Sequence, residues 1–252
     1  MFLIIKKSYR FLRIILHVHW GIVQVLYYLD DKKSPSATQK IIIQRWFKRF
    51  VRLLSIEIKI HGEVEENSPL MVSNHISWKD IILLGSVYPT RFVAKSEIAQ
   101  WPVVGWMSAK VGTIFVKRGS IADIRQLNTQ IADLICAGER VTIFPEGGTS
   151  DGRQLAHFFP GLLQSVVGLH GENIRPGVQP IVISYKVADQ LSEQIPFIGD
   201  ANMLQHLWAL LGLDKITADL HFTPFISSEN TTRKALSTQS VQQMQEILKN
   251  KV

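Results

Sequence analysis

A histidine and an aspartate five residues apart are the first residues in this sequence that could do chemistry. His75 follows an apolar run over 70–74, and Asp80 stands at the start of a helical pattern. A carboxylate beside an imidazole fixes the tautomer and stabilises the charged form, which is what a general base requires. The spacing Ser77-x-x-Asp80 also fits a helix capping box, which would explain Asp80 without catalysis.

Two adjacent cations form a second candidate site. Lys117 and Arg118 end an apolar run that begins near Gly112, and they stand just before Ser120, a predicted helix cap. Cations beside a helix N-terminus attract anions, and an arginine binds a phosphate with two donors. The pattern therefore indicates a phosphate site, with a pair of merely solvated cations as the alternative.

The residues Phe144-Pro145-Glu146-Gly147 form a third candidate at the end of another apolar run. The glycine lets the backbone approach a ligand, and Glu146 could bind a hydroxyl. The segment 148–152 also fits G-x-S-x-G, the nucleophile elbow of hydrolases, which would make Ser150 the nucleophile of a lipid esterase. Such a serine follows its strand directly and leads into a helix. Because Pro145-Glu146-Gly147 intervenes, the esterase is only a remote alternative.

Alternating strands and helices must hold these residues. After residue 55, short runs rich in Val, Ile and Phe alternate with helical patterns, which predicts an α/β fold with a largely parallel sheet flanked by helices. Ligands bind such sheets beyond the carboxyl ends of the strands, where all three candidates fall. The predicted strands are 56–61, 70–74, 91–95, 113–117, 141–144, 179–185 and 219–225. The predicted helices are 78–87, 121–137, 162–169, 201–211 and 232–250.

Residues 1–54 predict a pair of membrane-associating helices, separate from a domain over 55–252. The apolar stretch 14–29 is shorter than the roughly 20 residues of a full span, so it could cross, re-enter or lie in the interface. A second helix over 38–54 has a basic face and an apolar face, typical of an interfacial anchor, although an ordinary surface helix is the alternative. Its basic residues are Arg45, Lys48, Arg49 and Arg52, and its apolar residues are Ile43, Trp46, Phe47, Phe50 and Leu54.

The charge distribution agrees with this division. The 28 Lys and Arg exceed the 21 Asp and Glu by seven, and the first 60 residues hold 12 of the basic residues but three of the acids. A basic arm suits nucleic acid or an anionic membrane. The apolar stretch favours the membrane, and no nucleic-acid-binding motif appears. The single cysteine, Cys136, excludes a disulfide framework within one chain, and we expect it in the core.

Taken in order, the motifs resemble those of the glycerolipid (1-acylglycerol-3-phosphate) acyltransferase family. Asn74-His75-x-x-x-x-Asp80 is similar to the first motif, the run 112–118 to the second, 144–147 to the third and 178–182 to the fourth. Thr149 stands where the family commonly has an arginine, which leaves the acceptor headgroup open. The stretch 198–208 and the run after Glu146 also resemble lyso-ornithine-lipid acyltransferases.

The resemblance implies a glycerol-3-phosphate acyltransferase-like fold, with a mixed, largely parallel sheet, and a transferase activity. Its fatty acyl donor would be acyl-CoA or acyl carrier protein, as a co-substrate, with no cofactor or metal. The acceptor would be a lysolipid, first 1-acylglycerol-3-phosphate, giving phosphatidic acid, and alternatively a lyso-ornithine lipid. His75 would deprotonate the acceptor hydroxyl and Asp80 would orient His75. The expected acceptor-binding residues are Arg118, Lys117, Glu146, Gly147 and Asn74.

The same resemblance implies a cellular location. One alternative function, a non-enzymatic one, also stays open. We expect the enzyme on the lipid surface, at the cytoplasmic face of a bacterial inner membrane, with no nucleic-acid partner. A non-enzymatic lipid-binding protein would need no His75 and Asp80 pair.

Overall fold

A nine-stranded sheet forms the centre of the part of the chain that the computed structural model describes, residues 1–29, 35–65, 68–117, 120–170 and 175–249. The strands are β1 (Ile56–His61), β2 (Leu70–Ser73), β3 (Arg91–Lys95), β4 (Ile114–Val116), β5 (Val141–Ile143), β6 (Gly177–Val187), β7 (Gln190–Leu191), β8 (Ile216–Phe222) and β9 (Ile226–Ser227). The helices are α1 (Phe2–Tyr28), α2 (Ala37–Leu53), α3 (Lys79–Val87), α4 (Val104–Lys110), α5 (Ile121–Cys136), α6 (Met203–Leu210) and α7 (Arg233–Lys249).

The strand order is β1-β8-β6-β2-β5-β3-β4, and β7 and β9 pair with β6. Neighbours along this order run parallel except β6 and β8, which are antiparallel, as are the two short pairings. The predicted mixed, largely parallel sheet is therefore confirmed. Because β2 lies in the middle, the turn that follows it is flanked by the carboxyl ends of β5 and β6.

Helices cover both faces of the sheet. One core cluster joins α1, α2, α3 and α6 to the sheet, and the other joins α5, α7 and a 3₁₀ helix at Pro160–Val166. A strand covered on both faces is apolar along its whole length rather than at alternate positions. This explains why β2 is entirely buried and why its sequence reads as a continuous run.

The predicted elements differ from the structure in a few places. The expected helix over 162–169 is a 3₁₀ helix that begins at Pro160, and the short α4 and the 3₁₀ helix Ser96–Gln100 were not predicted. Ser120 caps α5 by accepting a hydrogen bond from the Asp123 N–H, as expected. Cys136 is exposed at the last residue of α5, so the expected core position is wrong.

Helix α1 lies along the body of the protein. Its buried residues recur every three or four positions, at Ile14, His17, Gly21 and Val25. The Trp46 Nε1–H of α2 donates to the His17 carbonyl (3.2 Å), and the two rings stack. A Cβ at Gly21 would stand 2.4 Å from Trp46 Nε1, so the glycine permits this close approach. One face of α1 is thus a protein contact.

Two cations of α1 bind the end of helix α6. Arg10 donates to the Leu211 carbonyl (3.1 Å), and Lys6 donates to the Gly212 carbonyl (3.2 Å) and pairs with Asp214. Carbonyls at a helix C-terminus are unsatisfied and attract cations. These two basic residues therefore dock α1 rather than forming part of a free cationic surface.

The apolar face of α2 packs against protein and does not form the interfacial anchor that was expected. Its four predicted basic residues are exposed, but Phe50, Val51 and Leu53 are buried, and Trp46 and Phe47 pack against the core. The apolar face of α2 therefore contacts protein, as in an ordinary surface helix. Helix α1 instead carries a long row of exposed apolar side chains, namely Phe2, Leu3, Ile4, Ile5, Tyr9, Leu12, Ile15, Leu16, Trp20, Val23, Leu26, Tyr27 and Tyr28.

Candidate active site

The turn between β2 and α3 brings His75 and Asp80 together. His75 Nδ1 lies 2.7 Å from Asp80 Oδ2, and Asp80 is fully buried. The same carboxylate oxygen accepts the backbone N–H groups of Ile76 (2.6 Å) and Ser77 (2.9 Å). Half of the capping box is therefore present, because Asp80 reaches back to the Ser77 N–H. Asp80 both shapes the turn and binds His75.

The two ring nitrogens of His75 differ, because Nδ1 is hydrogen-bonded to Asp80 and Nε2 is not. Since a carboxylate only accepts hydrogen bonds, the Nδ1 atom carries the proton and Nε2 is left as the basic atom. Among the described residues, none forms a hydrogen bond with His75 Nε2, and the side chain is 18% exposed. The Phe144 ring stacks on the imidazole, with ring centroids 4.1 Å apart. His75 is thus arranged to take a proton from a ligand.

The side chain of Asn74 forms hydrogen bonds with the neighbouring strand β6. Its side-chain oxygen accepts the Ile183 N–H (2.7 Å), and its side-chain nitrogen donates to the Ile183 carbonyl (3.0 Å). The residue is 1% exposed. The amide thus continues the pairing of β2 with β6 for one more residue, and both of its polar atoms are used within the protein.

Glu146 and Gly147 lie next to the turn between β2 and α3. Glu146 Oε1 accepts the His75 N–H (2.9 Å) and Oε2 accepts the Ala156 N–H (3.0 Å), so the carboxylate ties the histidine backbone to a neighbouring loop. Burial raises the pKa of Glu146, against the effect of these two backbone donors. Gly147 has φ of +72°, a conformation that favours glycine and lets the chain turn back after β5.

The structure does not bring Lys117 to this turn. Lys117 is exposed after β4, the last strand of the order β2-β5-β3-β4. Three steps between strands correspond to about 14 Å. Arg118 lies outside the described residues. The structure therefore gathers Asn74, His75, Asp80, Glu146 and Gly147 at one place and leaves Lys117 at the edge of the sheet.

Ser150 is part of the support of the turn and does not form a nucleophile elbow. Its N–H and its hydroxyl both point to the His75 carbonyl, at 2.7 and 3.3 Å, and it lies in a loop rather than at the start of a helix. The neighbouring Thr149 hydroxyl donates to the Phe197 carbonyl, and the Phe197 N–H donates to the Ile76 carbonyl (2.9 Å). Two loops are thereby fastened to the turn between β2 and α3.

Sequence reasoning missed two buried residues that contact the turn. The Tyr185 hydroxyl donates to Asp80 Oδ1 (2.7 Å). Lys79 is fully buried and donates to Ser77 Oγ (2.8 Å) and the Ile195 carbonyl (2.9 Å). Burial lowers the pKa of Lys79 to about 7, although Asp80 opposes the shift. Two features of the sequence could have indicated them: Tyr185 has a polar hydroxyl at the end of a buried strand, and Lys79 lies within the motif that contains His75 and Asp80.

A cleft of about 310 Å³ opens beside the turn. Ile76, Ser184 and Tyr185 are among the residues that line it, and its exposed lining residues include Asp151, Arg153 and Glu193. Arg153 lies 3.4 Å from Glu193. Because both signs of charge border the cleft, its edge suits a ligand that carries a cation and an anion.

A second group of polar side chains lies on β1 and β8. Strand register places His61 opposite His221, and Asp219 is 2.7 Å from His61 Nε2. One ligand atom from each residue lies within 4.8 Å of the others, so the residues have the composition of a metal site. The two rings stack at 5°, which makes their in-plane lone pairs parallel rather than convergent. No ligand spacing is visible in the sequence, because His61 stands 158 positions before Asp219.

Comparisons with known proteins identify relatives of this chain. An acyltransferase family model matches residues 56–184, which include β1, the turn between β2 and α3, and most of β6. A protein of Pseudomonas aeruginosa named lyso-ornithine lipid O-acyltransferase is 36% identical over 215 residues, which cover 84% of this chain and 81% of that protein. A 1-acyl-sn-glycerol-3-phosphate acyltransferase of Neisseria gonorrhoeae is 30% identical over 196 residues, covering 76% and 74%.

A solved structure shows the same fold. The crystal structure of the 1-acyl-sn-glycerophosphate acyltransferase PlsC from Thermotoga maritima matches with a TM-score of 0.66, covering 98% of this chain and 96% of that chain. The two sequences are 14% identical, so this likeness concerns the fold alone. It includes the N-terminal region as well as the sheet, since almost the whole chain is covered.

Replacing Glu146 with glutamine tests its structural role. An amide nitrogen would face one of the two backbone N–H groups, so one buried hydrogen bond would be lost, which costs about 1–3 kcal/mol. We expect the free energy of unfolding in urea to fall by this amount. Glu193→Gln, at an exposed carboxylate, is the control and should leave the value unchanged. Equal stability of the two variants would contradict the role.

Proposed function

This chain belongs to the acyltransferase family, and we propose that it transfers a fatty acyl group from a thioester to the free hydroxyl of a lysolipid at a membrane surface. The observation that carries the proposal is the 2.7 Å contact between His75 Nδ1 and Asp80 Oδ2, in a turn that leaves Nε2 unbonded among the described residues. This is the arrangement of a general base. The proposed donor is acyl-CoA or acyl carrier protein, as a co-substrate.

The proposed reaction is a direct attack. His75 Nε2 takes the proton of the acceptor hydroxyl as its oxygen bonds to the thioester carbonyl carbon. The carbon–sulfur bond then breaks, and the leaving thiolate takes the proton from His75. Asp80 stabilises the imidazolium in between and keeps the ring in place. Since a thioester is already activated, no covalent acyl-enzyme is required, in agreement with the use of Ser150 as a structural residue.

The first candidate acceptor is 1-acylglycerol-3-phosphate, which would give phosphatidic acid. Relatives such as the Neisseria gonorrhoeae protein carry the name of that activity. Lys117, and Arg118 beyond the described residues, are proposed to bind the phosphate. Because Lys117 lies just after an outer strand, an acceptor that contacts both Lys117 and His75 has to span about 14 Å across the sheet edge.

The second candidate acceptor is a lyso-ornithine lipid, whose headgroup carries a carboxylate and an amine. Three observations favour it. Thr149 replaces an arginine and its hydroxyl is used by the Phe197 carbonyl. The cleft beside the turn is bordered by Asp151, Arg153 and Glu193, which provide both signs of charge. The Pseudomonas aeruginosa relative carries this name.

We further propose that the protein lies on the membrane through α1, without crossing it, at the cytoplasmic face where thioester donors are made. Helix α1 is long and apolar enough to span a bilayer by composition, but 22% of its most apolar window is buried within the protein. A span would break the contacts of Lys6, Arg10 and Gly21 with the body. A helix in the interface keeps these contacts and buries its exposed face in lipid.

His75→Ala tests the mechanism. Loss of a positioned general base should lower kcat/KM for acyl transfer by about 10²–10⁴. Circular dichroism and vesicle binding should be unchanged, because the side chain is partly exposed and caps no core element. The matched control is His170→Ala at an exposed histidine, which should keep full activity. Near-normal transfer by His75→Ala would refute the mechanism.

A panel of lysolipids tests the acceptor. Purified enzyme with labelled acyl-CoA would be offered 1-acylglycerol-3-phosphate, lysophosphatidylcholine and lyso-ornithine lipid. If the phosphate is recognised, Lys117→Ala and Arg118→Ala should raise KM for 1-acylglycerol-3-phosphate about tenfold, as one lost charged hydrogen bond implies. Lys234→Ala on α7 is the control. Preferred use of lyso-ornithine lipid, with KM unaffected by either variant, would select the second candidate instead.

A double substitution on the outer face of α1 tests the membrane contact. Leu16→Glu with Trp20→Glu should lower binding to anionic lipid vesicles by at least about 100-fold, since each large apolar side chain buried is worth about 1.5–3 kcal/mol. Gln126→Glu with Gln130→Glu places the same charges at the same spacing on the exposed face of α5 and should have little effect. Equal cosedimentation of both variants would contradict the proposal.

A further inference from the structure

We propose that Tyr185 is a positioning residue for acyl transfer, which acts on His75 through Asp80. The inference rests on the proposed role of His75 as the general base. It adds a third side chain to the pair, and that side chain comes from β6, 105 positions further along the chain.

The two oxygens of the Asp80 carboxylate have separate partners. Oδ2 receives His75 Nδ1 and two backbone N–H groups of the turn, whereas Oδ1 receives the Tyr185 hydroxyl at 2.7 Å. Tyr185 is 3% exposed, and it lies in the antiparallel pairing of β6 with β8, opposite Ala218. The sheet therefore fixes the hydroxyl, and the hydroxyl fixes the plane of the carboxylate.

The hydroxyl also sets how strongly Asp80 attracts the proton on His75. A donor on Oδ1 stabilises the anionic carboxylate and weakens it as an acceptor. Without this donor the carboxylate would bind the imidazolium more tightly, so the ring would release its proton less readily. Burial and the nearby Asp80 raise the pKa of Tyr185 well above its usual value, so its hydroxyl keeps its proton and stays a donor.

Three other titratable groups among the described residues lie near the pair, and a substitution at Tyr185 leaves all three side chains in the protein. Lys79 of α3 lies beside Asp80, with its Nζ 5.6 Å from the centre of the Tyr185 ring. Glu146 follows β5 and accepts the His75 N–H. His206 of α6 interacts with Lys79, and burial, together with that lysine, lowers the pKa of His206 to about 4.

Tyr185→Phe tests the inference in the full-length enzyme. We expect kcat to fall about tenfold with KM unchanged, which is a part of the roughly 10²–10⁴ that a positioned base contributes. The acid limb of the pH profile of kcat/KM should move to higher pH. The matched control is Tyr88→Phe, which removes another buried tyrosine hydroxyl, bonded to Thr142 at 3.3 Å, and should change neither quantity. A purely structural role would not move the pH profile.

A second variant keeps the test decisive if the phenylalanine variant is poorly folded. Incorporation of 3-fluorotyrosine at position 185 retains the ring and makes the hydroxyl a stronger donor, so the acid limb should move to lower pH, opposite to the phenylalanine variant. An unmoved limb in the fluorinated enzyme, or a phenylalanine variant that behaves like Tyr88→Phe, would overturn the inference. Loss of activity in His75→Ala alongside such a result would leave the proposed function standing.

Discussion

The carboxylate of Asp80 is the interaction on which the rest of the site depends. It is a fully buried charge, and a buried charge is stable only when donors surround it. Two of its donors are backbone N–H groups of the turn, so the turn adopts one shape around the anion. The third is the His75 ring and the fourth is the Tyr185 hydroxyl. Backbone shape, ring orientation and sheet position are therefore linked through one group.

Neighbouring loops fasten the same turn from outside. The 192–198 segment is held by Lys79 at the Ile195 carbonyl and by Thr149 at the Phe197 carbonyl. The Trp78 ring nitrogen donates to His206 Nδ1 (3.0 Å), which requires that histidine to be neutral, as its pKa of about 4 implies. The turn, the cleft and helix α6 thus form one connected unit, and α6 in turn receives Lys6 and Arg10 of α1. The exposed apolar helix α1 and the turn that holds His75 are therefore both in contact with α6.

The sequence was most informative where structure is local. The apolar runs predicted the main strands, and the short spacing between His75 and Asp80 predicted their contact, because five residues across a strand-to-helix turn leave few geometries. It was least informative where partners are distant. Nothing near Tyr185 in the chain indicates that its hydroxyl reaches Asp80, since the contact depends on β6 lying beside β2.

Some expectations also failed because one pattern has two physical uses. The amphipathic pattern of α2 fits a lipid surface and a protein core equally well, and the presence of α1 and α3 beside Trp46 and Phe47 decides for the core. Basic residues have the same ambiguity. Lys6 and Arg10 could bind an anionic membrane, but in the structure they donate hydrogen bonds to the carbonyls at the end of α6. Only the three-dimensional arrangement separates these uses.

The side chain of Asn74 takes over a task that normally belongs to the main chain. Its amide presents one donor and one acceptor to Ile183, as a peptide group in a strand would. The peptide groups that follow are thereby released from sheet pairing, and their N–H groups bind Glu146 and Asp80 instead. The hydrogen bonding of the sheet thus extends one residue beyond the last residue of β2 that pairs through its main chain. The backbone N–H groups that follow are available to bind the two carboxylates of the site.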